Sequence, residues 1–137
     1  MRVVPYLNFD GTCEAAFKYY ERLFGGKLEA LLTFASTPAA ESVPADHRDK
    51  IMHARLVLGP GQELFGSDSP SGRHRPPQGL HITLQVPSVV EGERVFRGLA
   101  DGGEVEMPFE KTFWSPGYGM VVDRFGTPWM VNVEAAG

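Results

Sequence analysis

Two stretches of the chain share the order strand, turn, strand, and this repetition limits the fold more than any other feature. The later stretch, residues 117–129, has an apolar run, an Asp/Gly turn at Gly126 and a second apolar run that includes Trp129. The earlier stretch, residues 51–65, has a turn at Gly59-Pro60-Gly61 between two apolar runs. Short apolar runs around such turns predict β-hairpins. Two similar hairpins in one chain indicate a duplicated module.

The duplication continues upstream of each hairpin. A strand at residues 3–9 precedes a helix at Cys13–Phe24, and a strand at residues 80–86 precedes a helix at Val89–Ala100. In both helices apolar residues recur every three or four positions, which is typical of a helix that packs one face on a sheet. The order strand, helix, strand, strand, strand therefore occurs twice.

We predict one domain over residues 1–137, made of modules at residues 1–70 and 78–137. The hairpins are offset by 66 positions if Trp129 matches Glu63, less than the helices, because the first module carries an insertion rich in Ala, Pro, Ser and Asp. One helix per module predicts an α+β fold of two tandem β-α-β-β-β modules, with curved mixed sheets around a cavity and the helices on the outside. Such a cavity is where small ligands usually bind.

The helix ends carry recognisable signals. Thr12 is a suitable N-cap for the first helix, and Gly25 can adopt the left-handed conformation that ends it. Ser88 and Glu91 match a capping box at the start of the second helix.

Composition excludes several classes of function. The 137 residues carry a net charge of −4 with scattered Lys and Arg, so the basic stripe that nucleic acid requires is missing. No apolar run approaches the length of a bilayer span, and Met1 leads into a strand rather than a signal peptide. The single cysteine fits a reducing compartment. We expect a cytoplasmic protein with neither a nucleic-acid nor a membrane partner.

Several motifs, spread over nearly the whole chain, together resemble one known family. They are Pro5-Tyr6-Leu7-Asn8-Phe9-Asp10-Gly11, Glu14-Ala15-Ala16-Phe17, Phe24-Gly25-Gly26, His53-Ala54, Ser67-Asp68, Phe113-Trp114 and residues 117–129. In combination they resemble the PhnB-like branch of the vicinal oxygen chelate superfamily, which includes glyoxalase I, fosfomycin-resistance transferases, extradiol dioxygenases and bleomycin-resistance proteins. The resemblance implies paired modules and a homodimer. It does not select a chemistry, because this fold supports many.

The resemblance also implies a divalent metal held by the first and last strands of each module. The corresponding positions are His81 and Met130 in the second module, and the Val4-Pro5 pair and a residue near Leu64 in the first. Only His81 is a good ligand type, since a thioether binds hard or borderline ions poorly. Glu63 could contribute only if it points inward, because a shift of one residue turns a strand side chain to the other face. We therefore expect no cofactor at the usual positions.

The sequence leaves two functions open, and it does not decide whether the protein is an enzyme. The first is binding of a small molecule through Tyr6, His53, Asp68, His81, Trp114, Tyr118 and Met130. The second is a divalent-metal-dependent lyase, thiol transferase or oxygenase with a rearranged site, for which the candidate ligands are His53, His81, Glu63 and Asp68. Some relatives in the resembling branch carry a methyltransferase label, but the glycine-rich turn expected for S-adenosylmethionine is absent, so we do not expect methyl transfer. Histidines in apolar strands, Asp in turns and aromatic residues also have purely structural interpretations.

Three further features allow two interpretations each. Cys13 lies in the first helical turn, where the dipole can lower a thiol pKa, but with no histidine near it in sequence we favour a structural thiol. The Arg73-His74-Arg75 segment could bind a phosphate or carboxylate, yet we favour a solvated loop. His47, among charged neighbours, is expected to face solvent.

Overall fold

The computed structural model describes residues 1–70 and 72–135. The chain separates into two compact units, Met1–Pro76 and Pro77–Gly137. In the described residues each unit has four strands and one α-helix of 12 residues. The two predicted β-α-β-β-β modules and the α+β class are therefore confirmed.

The first unit is a mixed four-stranded sheet with a helix on one face. Its elements are β1 (Tyr6–Phe9), α1 (Cys13–Phe24), β2 (Lys27–Thr33), β3 (Ile51–Gly59) and β4 (Gln62–Asp68). The strand order is β1-β4-β3-β2, in which β1 runs parallel to β4 and the other neighbours are antiparallel. The insertion before β3 forms three short 3-10 helices.

The second unit repeats this arrangement. Its elements are β5 (Ile82–Val86), α2 (Val89–Ala100), β6 (Glu104–Glu110), β7 (Tyr118–Val122) and β8 (Pro128–Val133), with the strand order β5-β8-β7-β6. Both first strands begin two or three residues later than predicted, because pairing with the parallel neighbour begins at Tyr6 and at Ile82. Neither α2 nor any other helix in the described part of the chain is long and apolar enough to cross a membrane.

The parallel strand pairs show which residues of the two modules correspond. β1 and β5 end at the buried residues Phe9 and Val86, which pair with the last residues of β4 and β8. Counting back from these ends, Leu64 corresponds to Trp129, and both side chains are buried. The register therefore replaces the assumed match of Trp129 with Glu63 by a match with Leu64.

The core of each unit lies between its helix and one face of its sheet. In the first unit, Phe17 of α1 packs edge-on against Phe9 with ring centroids 6.0 Å apart. The helix comes so close to β4 that a Cβ on Gly66 would lie 2.5 Å from the Phe17 ring. In the second unit, a Cβ on Gly119 would lie 2.7 Å from Phe96 of α2. Glycine at these strand positions is therefore required for close helix packing.

The start of α1 is held by Asp68 rather than by Thr12. The Thr12 side chain makes no capping hydrogen bond to any described residue. Asp68, which is 3% exposed, accepts a hydrogen bond from Cys13 N–H at 3.0 Å and another from Ile51 N–H at 2.9 Å. A carboxylate is also favoured at the positive end of a helix. Asp68 therefore joins the end of β4 to the first residues of α1 and β3.

The other expected helix signals are confirmed. Gly25 has a φ of 77°, and its N–H donates to the Glu21 carbonyl at the end of α1. At the start of α2, the Ser88 hydroxyl accepts a hydrogen bond from Glu91 N–H at 3.2 Å.

We expect Asp68→Asn to lower the free energy of unfolding by about 2–4 kcal/mol, because one of two buried N–H donors loses a charged acceptor and faces an amide NH2 group instead. Urea unfolding followed by circular dichroism measures the change. Asp10→Asn, at an exposed position just after β1, is the matched control and should shift the midpoint little. Equal midpoints for the two variants would show that Asp68 has no such role.

Candidate functional site

Side chains alternate between the two faces of each sheet, and only one face carries the helix. In the first unit, Gly66 faces α1 and pairs with Ala54 of β3. The residues on either side of Gly66 and Ala54 in the strands point to the opposite surface, which we call the helix-free face. Leu64 lies on the helix side, so Glu63 lies on the helix-free face.

Three rings contact one another on the helix-free face of the first unit. His53 packs edge-on against Phe65 with centroids 5.2 Å apart, and Tyr6 lies 6.3 Å from His53 and 6.4 Å from Phe65. Tyr6 is 47% exposed, so the cluster can be reached by a ligand. We call Tyr6, His53 and Phe65 the aromatic cluster.

Glu63 is a buried carboxylate flanked by two arginines. Its side chain is 3% exposed, and its two oxygens contact Arg2 Nη1 at 2.6 Å and Arg55 Nε at 2.5 Å. A buried carboxylate requires such compensation. Both oxygens are therefore already engaged.

The structure does not bring the first-unit candidates for a rebuilt metal site together. Asp68 lies on the helix side of β4 and holds two backbone N–H groups. His53 and Glu63 lie on the opposite face, where Glu63 is paired with arginines. Across the described residues, no group of three or more His, Cys, Asp or Glu side chains is placed to hold a metal ion.

On the helix-free face of the second unit, three methionines stand side by side. Met120 pairs with Met107 on one side and with Met130 on the other. The Thr83 hydroxyl lies 3.7 Å from the Met130 sulfur. The register makes Phe65 the counterpart of Met130. The metal-ligand position that the family resemblance implied near Leu64 is therefore occupied by a phenyl ring.

His81 is joined to a residue that the sequence did not suggest. Its Nε2 lies 3.1 Å from Glu106 Oε1. His81 precedes β5 and Glu106 lies on β6, and these strands are the two edges of the sheet. The sheet must curve strongly for the two side chains to meet. Nothing in the local sequence links these residues, because the contact depends on that curvature.

Three aromatic side chains of the second unit fall into two groups. Trp114 contacts Tyr118 with centroids 5.3 Å apart and is 51% exposed. Trp129 is fully buried, and its indole N–H donates to Asp123 Oδ2 at 2.8 Å. Asp123 also accepts backbone hydrogen bonds from Phe125 and Thr127, so it holds the turn as expected.

A separate polar cleft of about 270 Å³ lies in the first unit, lined by Asp10, Gly11, Asp46, His47, Lys50 and Ser69. The expectation that His47 faces solvent is wrong. His47 is 7% exposed, its ring lies 5.0 Å from that of Phe34, and its Nε2 has no hydrogen-bond partner among residues 1–70 and 72–135. The 3-10 helix that ends at His47 turns this side chain inward, whereas Asp46 and Asp49 stay exposed.

The loop before β5 agrees in part with the favoured interpretation of Arg73-His74-Arg75. Both arginines are exposed. His74 differs from them, because its Nδ1 is buried and has no hydrogen-bond partner among the described residues. The two arginines therefore agree with a solvated loop, whereas the imidazole does not.

Cys13 is a structural thiol. Its side chain is fully buried. Burial raises the pKa of the thiol far above its ordinary value, and the negative charges of Asp68 and Glu14 raise it further. These effects outweigh the helix dipole, which would favour the thiolate.

We expect Cys13 in the native protein to resist Ellman's reagent from pH 7 to pH 9. A raised pKa keeps the thiol protonated throughout this range, so raising the pH should not create a reactive thiolate. Reaction should become rapid in 6 M guanidinium chloride. Ser36→Cys adds an exposed thiol and serves as the control, with one equivalent that reacts quickly under native conditions. Rapid titration of the native wild-type thiol would refute the assignment.

Comparison with known proteins assigns the chain to one family. Residues 2–131 match the model of the Glyoxalase/Bleomycin resistance protein/Dioxygenase superfamily. Protein YjdN of Escherichia coli (strain K12) is 37% identical over 142 residues, which cover 97% of this chain and 95% of YjdN. The crystal structure of PA1353 from Pseudomonas aeruginosa is 48% identical, with a TM-score of 0.89 and 98% of each chain covered.

A more distant structure shows the same fold. The PhnB protein from Bacillus cereus is 21% identical, with a TM-score of 0.81 over 98% of this chain and 100% of its own. The family match over residues 2–131 confirms the resemblance inferred from the motifs: the chain belongs to the Glyoxalase/Bleomycin resistance protein/Dioxygenase superfamily.

Proposed function

We propose that this protein binds a small molecule on the helix-free face of its first unit, without the divalent metal implied by the family resemblance. The observation that supports this most strongly is the aromatic cluster of Tyr6, His53 and Phe65 beside the Arg55–Glu63 pair. Ligand sites combine aromatic walls with a few oriented polar groups, and this surface has both. The predicted enclosure of the ligand by the second module stays a prediction.

The side chains at the metal positions that the resemblance implies support binding without a metal. Val4 and Phe65, at the inherited positions of the first module, have no donor atom in the side chain, and Met130 offers a thioether. Only His81 is an ordinary ligand, and its Nε2 already lies 3.1 Å from Glu106. One imidazole and one thioether do not fit a hard or borderline divalent ion. Stacking and polar contacts would then hold the ligand.

We expect Phe65→Ala to abolish the thermal stabilisation that a binding compound gives to the wild type. Differential scanning fluorimetry against a panel of metabolites and antibiotics identifies such a compound. At a concentration of 100 times its Kd, the compound should stabilise the wild type by about 2.7 kcal/mol. Removing the ring takes away the centre of the aromatic cluster, so the shift should disappear.

The matched control is Phe113→Ala, which removes a ring that is 98% exposed in the second unit. It should leave the ligand-induced shift unchanged. The shift should also survive prior dialysis against EDTA. A shift that depends on EDTA-removable metal, or metal at one equivalent per chain in elemental analysis, would favour the alternative of a metal-dependent lyase, thiol transferase or oxygenase.

We also propose a homodimer. β6 is an edge strand of the second sheet, and its Val105 and Met107 side chains are 45% and 39% exposed. An edge strand with exposed apolar side chains can pair with another chain, and a second copy presents the same edge by twofold symmetry. Light scattering should give twice the mass of the 15.1 kDa chain, and Val105→Lys should shift the protein towards the monomer. A monomeric wild type would contradict this proposal.

We propose that the protein works in the cytoplasm. Its single cysteine is buried and forms no disulfide within the described residues, so the fold does not depend on an oxidising compartment. Cell fractionation that finds the protein in an extracytoplasmic fraction would contradict this assignment.

A further inference from the structure

We propose that the helix-free face of the first unit selects planar anions, in which an aromatic or conjugated ring carries a carboxylate, sulfonate or phosphate, and that Arg55 anchors the acidic group. This inference rests on the proposed binding function and names the class of ligand. It is carried by the position, pairing and exposure of Arg55.

Arg55 is held in place but only partly used. Its Nε donates to Glu63 Oε1 at 2.5 Å, and its side chain is 42% exposed. Its two terminal amino groups make no hydrogen bond to any residue of the described chain. A guanidinium has five N–H groups in a rigid planar fork, so fixing it through Nε directs the remaining donors. Such a group is preorganised for an oxyanion.

The charge around Glu63 is not balanced. Arg2 and Arg55 both contact this one carboxylate, which leaves one positive charge in excess. Tyr6 and Phe65, which lie on the same face, are uncharged. An anion bound at Arg55 would complete the neutralisation of two arginines by two acids. A neutral ligand that covered Arg55 would displace the water that solvates this exposed guanidinium without replacing its contacts.

The cation and the rings are direct neighbours. Arg55 and Phe65 are paired residues on β3 and β4, and side chains of such a pair begin about 5 Å apart on one face. His53 precedes Arg55 by two residues and contacts Phe65. A ring lying against the aromatic cluster would therefore place an acidic substituent within reach of the guanidinium only if that substituent is attached directly or by a short linker.

The second unit provides an internal comparison. Phe65 corresponds to Met130, and the strand partner of Met130 is Met120. The position of Arg55 is thus occupied by Met120 in the second module, where the helix-free face carries a row of thioethers instead of a guanidinium. The anion anchor is a property of the first unit and not of the module as such.

A pair of fluorescent probes tests the inference, because they differ by one acidic group. 1-Anilinonaphthalene-8-sulfonate is the anion, and N-phenyl-1-naphthylamine is the same ring system without the sulfonate. We expect the wild type to bind the anion more tightly, and added salt to weaken only that binding. Arg55→Gln should raise the Kd of the anion by about tenfold or more, the scale of a lost charge-assisted contact, and change that of the neutral probe less than about twofold.

Three variants serve as controls. Arg2→Gln also removes one of the two cations that contact Glu63, but it leaves Arg55 in place beside Phe65. It should therefore weaken anion binding less than Arg55→Gln does. Arg55→Lys keeps the charge but loses the planar fork, so its Kd should be intermediate and its fold provides a check if Arg55→Gln is unstable. Phe65→Ala should weaken both probes, which locates them on the aromatic cluster.

The outcomes separate the two proposals. If neither probe binds the wild type, the anion inference fails, and the proposed binding function fails as well if the compound panel gives no stabilisation that depends on Phe65. If both probes bind and lose affinity with Phe65→Ala, but Arg55→Gln affects them equally or not at all, the binding function stands and the anion anchor is refuted. Equal losses of anion affinity in Arg2→Gln and Arg55→Gln would also refute the anchor, because the overall positive charge of the surface would then explain both losses. Anion binding that is insensitive to Phe65→Ala would place the probe elsewhere and overturn the inference.

Discussion

Alternation of side chains across each sheet is the constraint on which the rest of the structure depends. Because a helix covers only one face of each sheet, side chains on that face must pack against the helix, whereas side chains on the other face need not. Gly66 and Leu64 lie on the helix side, where small or apolar side chains permit close packing. Glu63 and Phe65, the two neighbours of Leu64 in sequence, point the other way. A slip of one residue would exchange a buried core for a charged and aromatic surface.

The pattern of apolar residues and turns in the sequence made most of the fold predictable. Both α-helices begin and end at the residues that apolar periodicity indicated, Cys13–Phe24 and Val89–Ala100. The antiparallel pairing of β3 with β4 and of β7 with β8 followed from the two predicted hairpins. Local sequence carries this information because helices and hairpins are formed by residues close together in the chain. The parallel pairing of β1 with β4 and of β5 with β8 was not predicted.

The functional contacts were harder to predict, because they join residues that are distant in sequence. Glu63 receives Arg2 from the start of the chain, and His81 meets Glu106 across a curved sheet. Asp68 suited a turn by composition, yet it joins α1 and β3 through buried hydrogen bonds. His47 lies among charged residues that suggested exposure, and only the turn of the 3-10 helix places it inside.

The duplication preserved the framework and not the chemistry. Equivalent positions on the two helix-free faces carry Phe65 and Arg55 in one unit, and Met130 and Met120 in the other. Gly66 and Gly119, which touch the helices, have to remain small, whereas residues on the opposite face are free to diverge. The two faces would therefore present different surfaces to a ligand, one cationic and aromatic and the other soft and apolar.

The central claim is that a ligand binds the helix-free face of the first unit. The most direct test is amide and arginine-side-chain NMR with 15N-labelled protein during addition of 1-anilinonaphthalene-8-sulfonate. The account predicts that shifts concentrate on β1, β3 and β4 and include the Nε–H of Arg55, with α1 little affected. Shifts confined to α1, to the polar cleft around His47, or to the second unit would contradict it.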